Sequence, residues 1–306
     1  MYFAGIDVGG SSVKLCIMSD AGSVVWEDVI PTITGDPDAL ARSIAAALKS
    51  TGFGCAAAGI SCAGRVNKET NTIIASNLRW KNVPFADIFE KHMHCPVAID
   101  NDVAGALYGE WSQGACQDES CVAYVALGTG VGGAFIIDGK PFRGYNNTGG
   151  EIGHMITHAD GLPCACGGRG CFEQYASATA LSRMADGLEP PEVFRRAEEG
   201  DPAMCEVLTA YAHELAIGLA NVIGVFRPRL IALGGGLAGA GRALLDRVTE
   251  QLIHHCPSMP SQEIPAIRLA TLGNRGGMIG GAMMARDLWL SRREQQSAVC
   301  AKNPEL

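Results

Sequence analysis

The chain has 306 residues, of which 47% are hydrophobic, and its formal net charge is −8. This composition predicts a globular protein of two ordinary domains or one large one, and an acidic balance without a basic block argues against nucleic-acid binding as the main activity. The N-terminus, MYFAGID, lacks the basic region and apolar run of a signal peptide, and no later apolar run predicts a membrane span. We therefore expect a cytoplasmic protein with no nucleic-acid or membrane partner.

In chain order, the first lobe alternates strands with turns and helices. Apolar runs predict strands at 2–7, 13–18 and 24–29, and capping and stop signals predict a helix between Asp36-Pro37 and Gly52. A strand at 56–61, a helix at 84–93, a strand at 97–100 and a helix at 103–111 follow. This order is typical of mixed α/β architecture.

The middle of the chain repeats the plan of its beginning. CVAYVALGTGVGGAFIIDGKP, at 121–141, has the same order of apolar strand, glycine-rich turn, second strand and hairpin as YFAGIDVGGSSVKLCIMSDAG at 2–22. We interpret this as a duplicated βββ-α unit. The predicted lobes are 1–111, completed by a C-terminal helix near 277–294, and a larger lobe at 112–276, with a loose tail at 295–306.

Three glycine-rich turns follow apolar strands and are candidates for holding phosphate through backbone N–H groups: DVGGSSVK at 7–14, LGTGVGG at 127–133 and LIALGGGL at 230–237. Asp7 could also organise a hydrated divalent cation, and the third turn could accept a flat adenine. Each run alone also fits an ordinary turn, but the first two occupy duplicated positions. The candidate nucleotide-binding residues are Asp7, Gly9, Gly10, Ser11, Ser12, Lys14, Gly128, Thr129, Gly130, Gly234, Gly235 and Gly236.

The stretch VAIDNDVAGALYGEW, at 97–111, places Asn101 and Asp102 where a strand ends and a helix begins. Ligands of open α/β folds bind at this edge. Asp102 could accept a proton from a hydroxyl nucleophile during phosphoryl transfer. A helix N-cap at Asp100, Asn101 or Asp102 is the alternative explanation for these residues.

Twelve cysteines in a cytoplasmic chain are expected to be thiols, so the cluster Cys164, Cys166 and Cys171 favours a metal site over a disulfide framework. Cys16, Cys62 and Cys121 stand in apolar runs and fit small buried hydrophobes.

Taken together, several motifs in this order resemble the ROK family of repressors, open reading frames and kinases, over essentially the whole chain. The motifs are the DVGG turn, NLRW at 77–80, the Asn101-Asp102 pair, LGTGVGG, GGEIGH at 149–154, CACGGRGCFEQYASATAL at 164–181 and LIALGGG. GGEIGH with the cysteine cluster is the most specific part, and it looks like the bacterial ATP-dependent glucokinase branch.

The resemblance implies an actin-like, hexokinase-type (ribonuclease H-like) fold, and a kinase that uses ATP and Mg²⁺ to phosphorylate a hexose, with D-glucose expected and N-acetylmannosamine or N-acetylglucosamine as alternatives. It implies Asp102 as the general base, sugar contacts from Asn77, Asn101, Glu151, His154 and Glu173, and a homodimer or tetramer. Ala63 stands where many relatives have proline, and Ala104 where the family often has asparagine. Both departures concern sugar specificity.

The cysteine cluster gains a fourth ligand from His154, because one nitrogen and three sulfurs form a closed set that suits tetrahedral structural zinc. The expected zinc loop is 154–171, with ligands His154, Cys164, Cys166 and Cys171, and an iron–sulfur cluster would prefer a fourth thiolate. Fixing the metal would also fix Glu151 and Glu173. His158 is expected to be an exposed loop residue without a metal role.

Two functions of other classes compete with a sugar kinase. A sugar-responsive transcription regulator of the same family would carry an N-terminal helix-turn-helix region, and we expect none because the first strand begins at residue 2. An ATPase activator with an iron–sulfur cluster would be brown when purified.

Overall fold

Two five-stranded sheets form the framework of the protein, and the computed structural model describes residues 1–302. The strands are β1 (Tyr2–Val8), β2 (Ser12–Ser19), β3 (Val24–Pro31), β4 (Cys55–Cys62), β5 (Arg65–Asn67), β6 (Thr72–Ala75), β7 (Trp80–Val83), β8 (Val97–Asn101), β9 (Val122–Leu127), β10 (Val131–Ile137), β11 (Lys140–Phe142), β12 (Leu230–Gly234) and β13 (Ala266–Leu269). The helices are α1 (Pro37–Ser50), α2 (Phe85–Met93), α3 (Asp102–Gln113), α4 (Glu173–Ala176), α5 (Ala178–Met184), α6 (Pro190–Glu198), α7 (Pro202–Phe226), α8 (Arg242–His255) and α9 (Gly276–Lys302).

The two sheets have the same strand order and the same strand directions. One sheet runs β3-β2-β1-β4-β8 and the other β11-β10-β9-β12-β13. In each, the first three strands are antiparallel neighbours and the last two run parallel to the first strand. This correspondence is what the duplicated βββ-α pattern of the sequence predicts.

The chain divides into two compact units, with boundaries that differ in part from those predicted. Unit 1 contains residues 1–113, 144–148 and the chain from Asn274 onward, and unit 2 contains 114–143 and 149–273. The prediction missed the return of residues 144–148 to unit 1, because a five-residue segment has no periodicity of its own. Helix α9 continues to Lys302 where a loose tail was predicted from residue 295, and residues 303–306 lie outside the described chain.

In unit 1, helix α1 covers the sheet with one apolar face. Asp36 caps the helix by accepting a bond from the Ala39 N–H at 2.9 Å, and Pro37 fixes the first turn. Leu40, Ile44 and Leu48, one helical face, are fully buried with the sheet's Ile6 and other apolar residues.

Helix α9 packs against β1, β4 and α3 at unusually short range because glycines face it. A Cβ on Gly280 would lie 1.9 Å from the Gly105 carbonyl oxygen of α3, and one on Gly59 would lie 1.9 Å from the Gly281 carbonyl oxygen. A Cβ on Gly281 would in turn lie 2.6 Å from the Gly59 carbonyl oxygen, and one on Gly105 would overlap Ser61 Oγ of β4. Glycine at these positions therefore lets α3, with Asp102 at its first position, lie close to both α9 and the sheet.

Helix α7 is the central helix of unit 2. By length and composition its 25 residues could cross a membrane, contrary to the expectation from the sequence, but half of its most apolar window is buried within the protein. Tyr211, Leu215 and Leu219 are fully buried, and Phe172 occupies the space that a side chain at Gly218 would need. This pattern is that of a core helix.

Candidate functional site

The ends of three parallel strands bring polar residues side by side in unit 1. The registers of β1, β4 and β8 pair Asp7 with Ser61 and Ser61 with Asp100. Ser61 and Asp100 are buried, at 0% and 2% exposure. The candidate residues Asn101 and Asp102 follow directly, so the base predicted from the sequence lies at the sheet edge where α/β proteins bind ligands.

Asn101 acts as the cap of helix α3. Its Oδ1 accepts bonds from the N–H groups of Val103 at 2.8 Å and Ala104 at 3.2 Å, and its Nδ2 donates to the Gly64 carbonyl at 3.0 Å. The capping role that the sequence left open therefore belongs to Asn101. An amide engaged at both ends is held rigidly, and the Asn101 side chain also hydrogen-bonds the neighbouring Asp102 carboxylate.

Asp102 is partly buried beside this cap, and its carboxylate accepts a bond from the Val103 N–H at 3.0 Å. The pKa of Asp102 is raised to about 6, and burial is the largest cause. The negative charge of Asp7 adds to the rise, while the bond from Val103 opposes it. A carboxylate with a pKa near the operating pH suits proton acceptance, because it is ionised at neutral pH and more basic than an ordinary aspartate.

The turn between β1 and β2 is closed by its own backbone. The Gly9 N–H donates to the Ser12 carbonyl at 3.0 Å, and the Thr32 hydroxyl donates to the Gly9 carbonyl at 2.9 Å. Lys14 Nζ lies 3.0 Å from Asp7 Oδ2, since the two residues are cross-strand partners. Burial raises the pKa of Asp7 and Lys14 opposes that rise. Asp7 therefore already has a cation beside it, which the sequence analysis did not foresee.

Asn77 lies against this turn. A Cβ on Gly10 would stand 3.3 Å from Asn77 Nδ2, so the absence of a side chain at Gly10 makes room for the Asn77 amide. Asn77 is exposed, in a short 3₁₀ turn that precedes β7. The turn belongs to the small sheet β5-β6-β7, which the sequence analysis missed because its strands have only three or four residues.

Asn147 is a site residue that sequence reasoning did not identify. Its Nδ2 donates to Asp100 Oδ1 at 3.0 Å, and the Asn101 backbone N–H donates to the same oxygen at 2.8 Å. The returning segment 144–148 is thus tied to the residue that precedes the Asn101-Asp102 pair. The doubled asparagine at 146–147 is a signal for left-handed backbone, which both residues adopt, but not for this contact.

Replacing Asn147 with alanine is expected to lower the free energy of unfolding of unit 1 by about 1–3 kcal/mol, because the buried Asp100 carboxylate loses a hydrogen-bond donor. All four tryptophans, Trp26, Trp80, Trp111 and Trp289, belong to unit 1. Tryptophan fluorescence in urea therefore reports this unit. Tyr145→Ala, at a neighbour that is 81% exposed, is the control and should leave the midpoint unchanged; equal midpoints for both variants would contradict the anchoring role.

In unit 2, the turn between β9 and β10 packs against helices α4 and α5. The Ala178 N–H donates to the Gly128 carbonyl at 2.8 Å, and the Thr179 hydroxyl donates to the Thr129 carbonyl at 2.9 Å. A Cβ on Gly130 would stand 2.5 Å from Glu173 Oε2. The second glycine turn is therefore held in contact with one of the predicted sugar-binding carboxylates.

The third glycine run combines a packing role with an open surface. A side chain at Gly234 would overlap the Tyr124 ring, and Gly235 has a φ of +80° with the Leu127 backbone 2.5 Å from a Cβ position. Gly236 faces a cleft of about 310 Å³ that is lined by Pro190, Pro191, Phe194, Arg195, Glu198, Gly236, Leu237 and Gly239. Apolar side chains and exposed backbone beside one arginine suit a flat heterocycle.

The loop 154–171 gathers the four predicted metal ligands. Their ligand atoms all lie within 4.8 Å of one another, with Cys166 Sγ 3.6 Å from Cys171 Sγ and Cys164 Sγ 3.8 Å from His154 Nδ1. Tetrahedral zinc, with Zn–S bonds of about 2.3 Å, requires ligand separations of about 3.8 Å. The donor set and its spacing therefore fit zinc.

Backbone hydrogen bonds shape this loop. The Cys164 N–H donates to the Gly168 carbonyl at 2.9 Å, and the Gly170 N–H donates to the Leu162 carbonyl at 2.8 Å. Gly170 has a φ of +74°, and a Cβ there would overlap the His158 carbonyl. The glycines of the motif are thus needed to bring the three sulfurs together.

Two predicted sugar-binding carboxylates flank the ligand set. Glu173 Oε1 lies 3.0 Å from Cys164 Sγ and 3.7 Å from His154 Nδ1, and its side chain is 17% exposed. Glu151 is exposed and begins the 3₁₀ turn that carries His154. The two carboxylates that are expected to contact the sugar therefore lie on either side of the loop that holds the metal ligands.

His158 is more constrained than the sequence analysis expected. Its ring stacks on Tyr175 with centroids 3.9 Å apart, and its Nε2 lies 3.5 Å from Glu214 Oε2 on α7. His158 therefore fastens the loop to the core helix of unit 2, a contact 56 residues away in sequence that local pattern does not reveal.

The comparisons with known proteins agree on one family. Residues 3–288 match the model of the ROK family. The chain is 32% identical to a glucokinase of Halalkalibacterium halodurans, over 97% of this chain and 96% of that protein, and 30% identical to an N-acetyl-D-glucosamine kinase of Escherichia coli, over 93% and 99%. Its structure is similar to that of a ROK family glucokinase from Streptomyces griseus in complex with glucose and AMPPNP, with a TM-score of 0.81, 30% identity and coverage of 94% of this chain and all of that one.

Proposed function

This chain belongs to the ROK family, and we propose that it is an ATP-dependent hexose kinase whose preferred substrate is D-glucose, phosphorylated at the 6-hydroxyl. The observation that carries the proposal is Asp102, a partly buried carboxylate directly after the end of a parallel strand, whose pKa burial raises to about 6. Glucokinases and an N-acetylglucosamine kinase among the relatives support the same reaction class.

In the proposed reaction, Asp102 accepts the proton of the sugar hydroxyl as its oxygen attacks the terminal phosphorus of ATP. The hydroxyl oxygen forms a bond to phosphorus, the bond to the bridging oxygen breaks, and ADP leaves. The rigid cap formed by Asn101 keeps Asp102 at the first position of α3, so the base is positioned before substrate binds.

Residues of the three glycine runs are proposed to bind the nucleotide. The backbone N–H groups and hydroxyls of Gly9, Gly10, Ser11 and Ser12, and those of Gly128, Thr129 and Gly130, suit phosphate oxygens, and the cleft at Gly236 suits the adenine. Gly234 and Gly235 shape the backbone that leads into this cleft. Mg²⁺ bound by ATP would neutralise charge that develops on the phosphates, and Asp7 and Lys14 supply opposite charges near the first turn.

The sugar contacts are proposed to be Asn77, Asn101, Glu151, His154 and Glu173. Carboxylates accept and amides donate, so this set can pair with a ring of hydroxyls. A site built around such bonds rejects a sugar that leaves its buried polar groups unpaired.

Zinc is proposed to be held by His154, Cys164, Cys166 and Cys171, as a structural ion without an open ligand position. It would fix the loop and the orientation of His154. Cys164 lies 3.0 Å from Glu173, and a metal-bound thiolate has no proton to donate to Glu173, which keeps the Glu173 carboxylate available to sugar hydroxyls.

The substrate prediction is tested by kcat/KM for glucose, mannose, allose, N-acetylglucosamine and N-acetylmannosamine at fixed ATP, with ADP release as the readout. Glucose is expected to be preferred, because an acetamido group at carbon 2 needs extra room and an acceptor of its own. An N-acetylhexosamine preferred by about tenfold, or about 1.4 kcal/mol in transition-state binding, would overturn glucose as the substrate while leaving the kinase intact.

The second candidate substrate is N-acetylglucosamine, and the N-acetylglucosamine kinase relative, at 30% identity, supports it. Two small residues near the proposed sugar contacts favour N-acetylglucosamine, because they leave room for a bulkier sugar. Ala63 precedes Gly64, whose carbonyl accepts a bond from Asn101, and the Ala104 N–H donates to Asn101 Oδ1. We further propose that the protein is soluble and cytoplasmic, and that it assembles as a homodimer or tetramer, which light scattering at micromolar concentration tests.

A further inference from the structure

Helices α7 and α8 bring two imidazoles together in a part of unit 2 that the proposed reaction does not use. His213 Nδ1, on α7, lies 3.2 Å from His255 Nε2, on α8, and 3.3 Å from Gln251 Oε1, one turn before His255. The two rings have centroids 4.7 Å apart and planes inclined at 57°. His213 is exposed and His255 is partly buried.

We propose that His213 and His255 form a second metal site, with Gln251 as an oxygen ligand and water completing the shell. Imidazole nitrogens bind zinc at about 2.0–2.1 Å, so two such ligands at a tetrahedral angle stand about 3.3–3.4 Å apart. The observed distance between His213 Nδ1 and His255 Nε2, 3.2 Å, is close to this separation, and a small rotation of either ring would remove the difference. The ligand class is a divalent transition ion that prefers imidazole, namely Zn²⁺, Ni²⁺ or Cu²⁺.

The surroundings favour a cation at this place. His213 and Gln251 line a cleft of about 560 Å³ that also contains Glu206 and Glu214, with no Lys or Arg among the described residues that line it.

An ion held this way would connect α7 to α8, which otherwise meet through apolar contacts such as Leu215, Leu244 and Val248. It would bind the folded chain more tightly than the unfolded one, because only folding brings together two histidines that are 42 residues apart. Saturation should therefore raise the unfolding temperature of the protein.

The test uses the intact protein with the zinc of loop 154–171 bound and loosely held metal removed by brief chelation and desalting. NiCl₂ is then titrated into it by isothermal titration calorimetry in a non-chelating buffer near neutral pH. One Ni²⁺ per chain is expected in the wild type. His213→Ala and His255→Ala should each weaken binding by about tenfold or more, or about 1.4 kcal/mol. His254→Ala, an exposed histidine next to His255 on the same helix, is the matched control and should bind as the wild type does.

Thermal unfolding and light scattering complete the experiment. Ni²⁺ should raise the unfolding temperature of the wild type and of His254→Ala, and not of the other two variants, while the protein keeps its assembly state. The proposal is overturned if Ni²⁺ binding is not saturable, if His254→Ala weakens it as much as His213→Ala, or if Ni²⁺ acts by linking separate chains. Sugar-kinase activity is not a readout, so failure here leaves the proposed function untouched.

Discussion

Asp102→Asn is expected to lower kcat by about 10²–10⁴-fold while the KM for sugar changes much less. The substitution keeps the size of the side chain and one oxygen to accept the Val103 N–H, so the turn should remain folded. It removes the group that accepts the hydroxyl proton. Asp28→Asn, on the exposed part of β3, is the control and should retain wild-type kinetics.

The pH profile gives an independent check on the same residue. Because a raised pKa of about 6 keeps Asp102 protonated in acid, kcat/KM of the wild type should fall about tenfold per pH unit below that value. The residual activity of Asp102→Asn should lack this limb, provided that ATP is kept as its Mg²⁺ complex. Near-normal turnover in the folded variant, or an unchanged acid limb, would remove Asp102 from the mechanism.

Much of the fold could be predicted from local pattern. The repeated strand and glycine-turn order at 2–22 and 121–141 predicted two equivalent sheets, and the strand orders agree with it. The similarity to the ROK glucokinase structure supports the predicted actin-like, hexokinase-type fold. Elements with strong periodicity, such as α1 and β4, lie within a residue or two of their expected bounds.

The parts that were missed depend on contacts between distant residues. Residues 65–83 contain strands too short to show alternation, and their sheet is fixed by pairing between strands. Likewise Asn147 reaches Asp100 across 47 residues, and Lys14 reaches Asp7 only once β1 and β2 are paired in register. Sequence spacing identifies candidate chemistry, but the partner of each charge is a property of the folded chain.

The ambiguity between capping and catalysis at the start of α3 shows the same limit. From sequence, Asn101 and Asp102 were both candidates for cap and for substrate contact. The structure divides the tasks, because the Asn101 amide caps the helix and binds Gly64, while the Asp102 carboxylate accepts bonds from the Val103 N–H and the Asn101 side chain and has a raised pKa. A residue that is rigid for structural reasons can thereby position its neighbour for chemistry.

Cys166→Ser is expected to lose the zinc and most of the activity together. Cys166 is the exposed ligand of the set, 3.6 Å from Cys171, so its replacement removes a thiolate without opening a cavity in the core. Three remaining ligands no longer close a tetrahedral site, and loop 154–171, which carries His154 and is flanked by Glu151 and Glu173, loses its constraint. Loss of a group that orients ligands typically costs about 10–100-fold, and we expect at least that in kcat/KM, mainly through a raised KM for sugar.

After dialysis that removes loosely held ions, metal analysis by mass spectrometry should find one tightly held zinc per wild-type chain and much less in Cys166→Ser, in colourless protein. Cys55→Ser, a partly exposed cysteine of β4, is the control and should keep both zinc and activity. An effect on sugar KM with an unchanged KM for ATP would place the zinc's influence at the sugar, since the proposed adenine cleft at Gly236 lies elsewhere in unit 2. Wild-type protein that is fully active without zinc, or iron in place of zinc, would refute the structural-zinc proposal, because the loop would then hold its carboxylates through its backbone bonds alone.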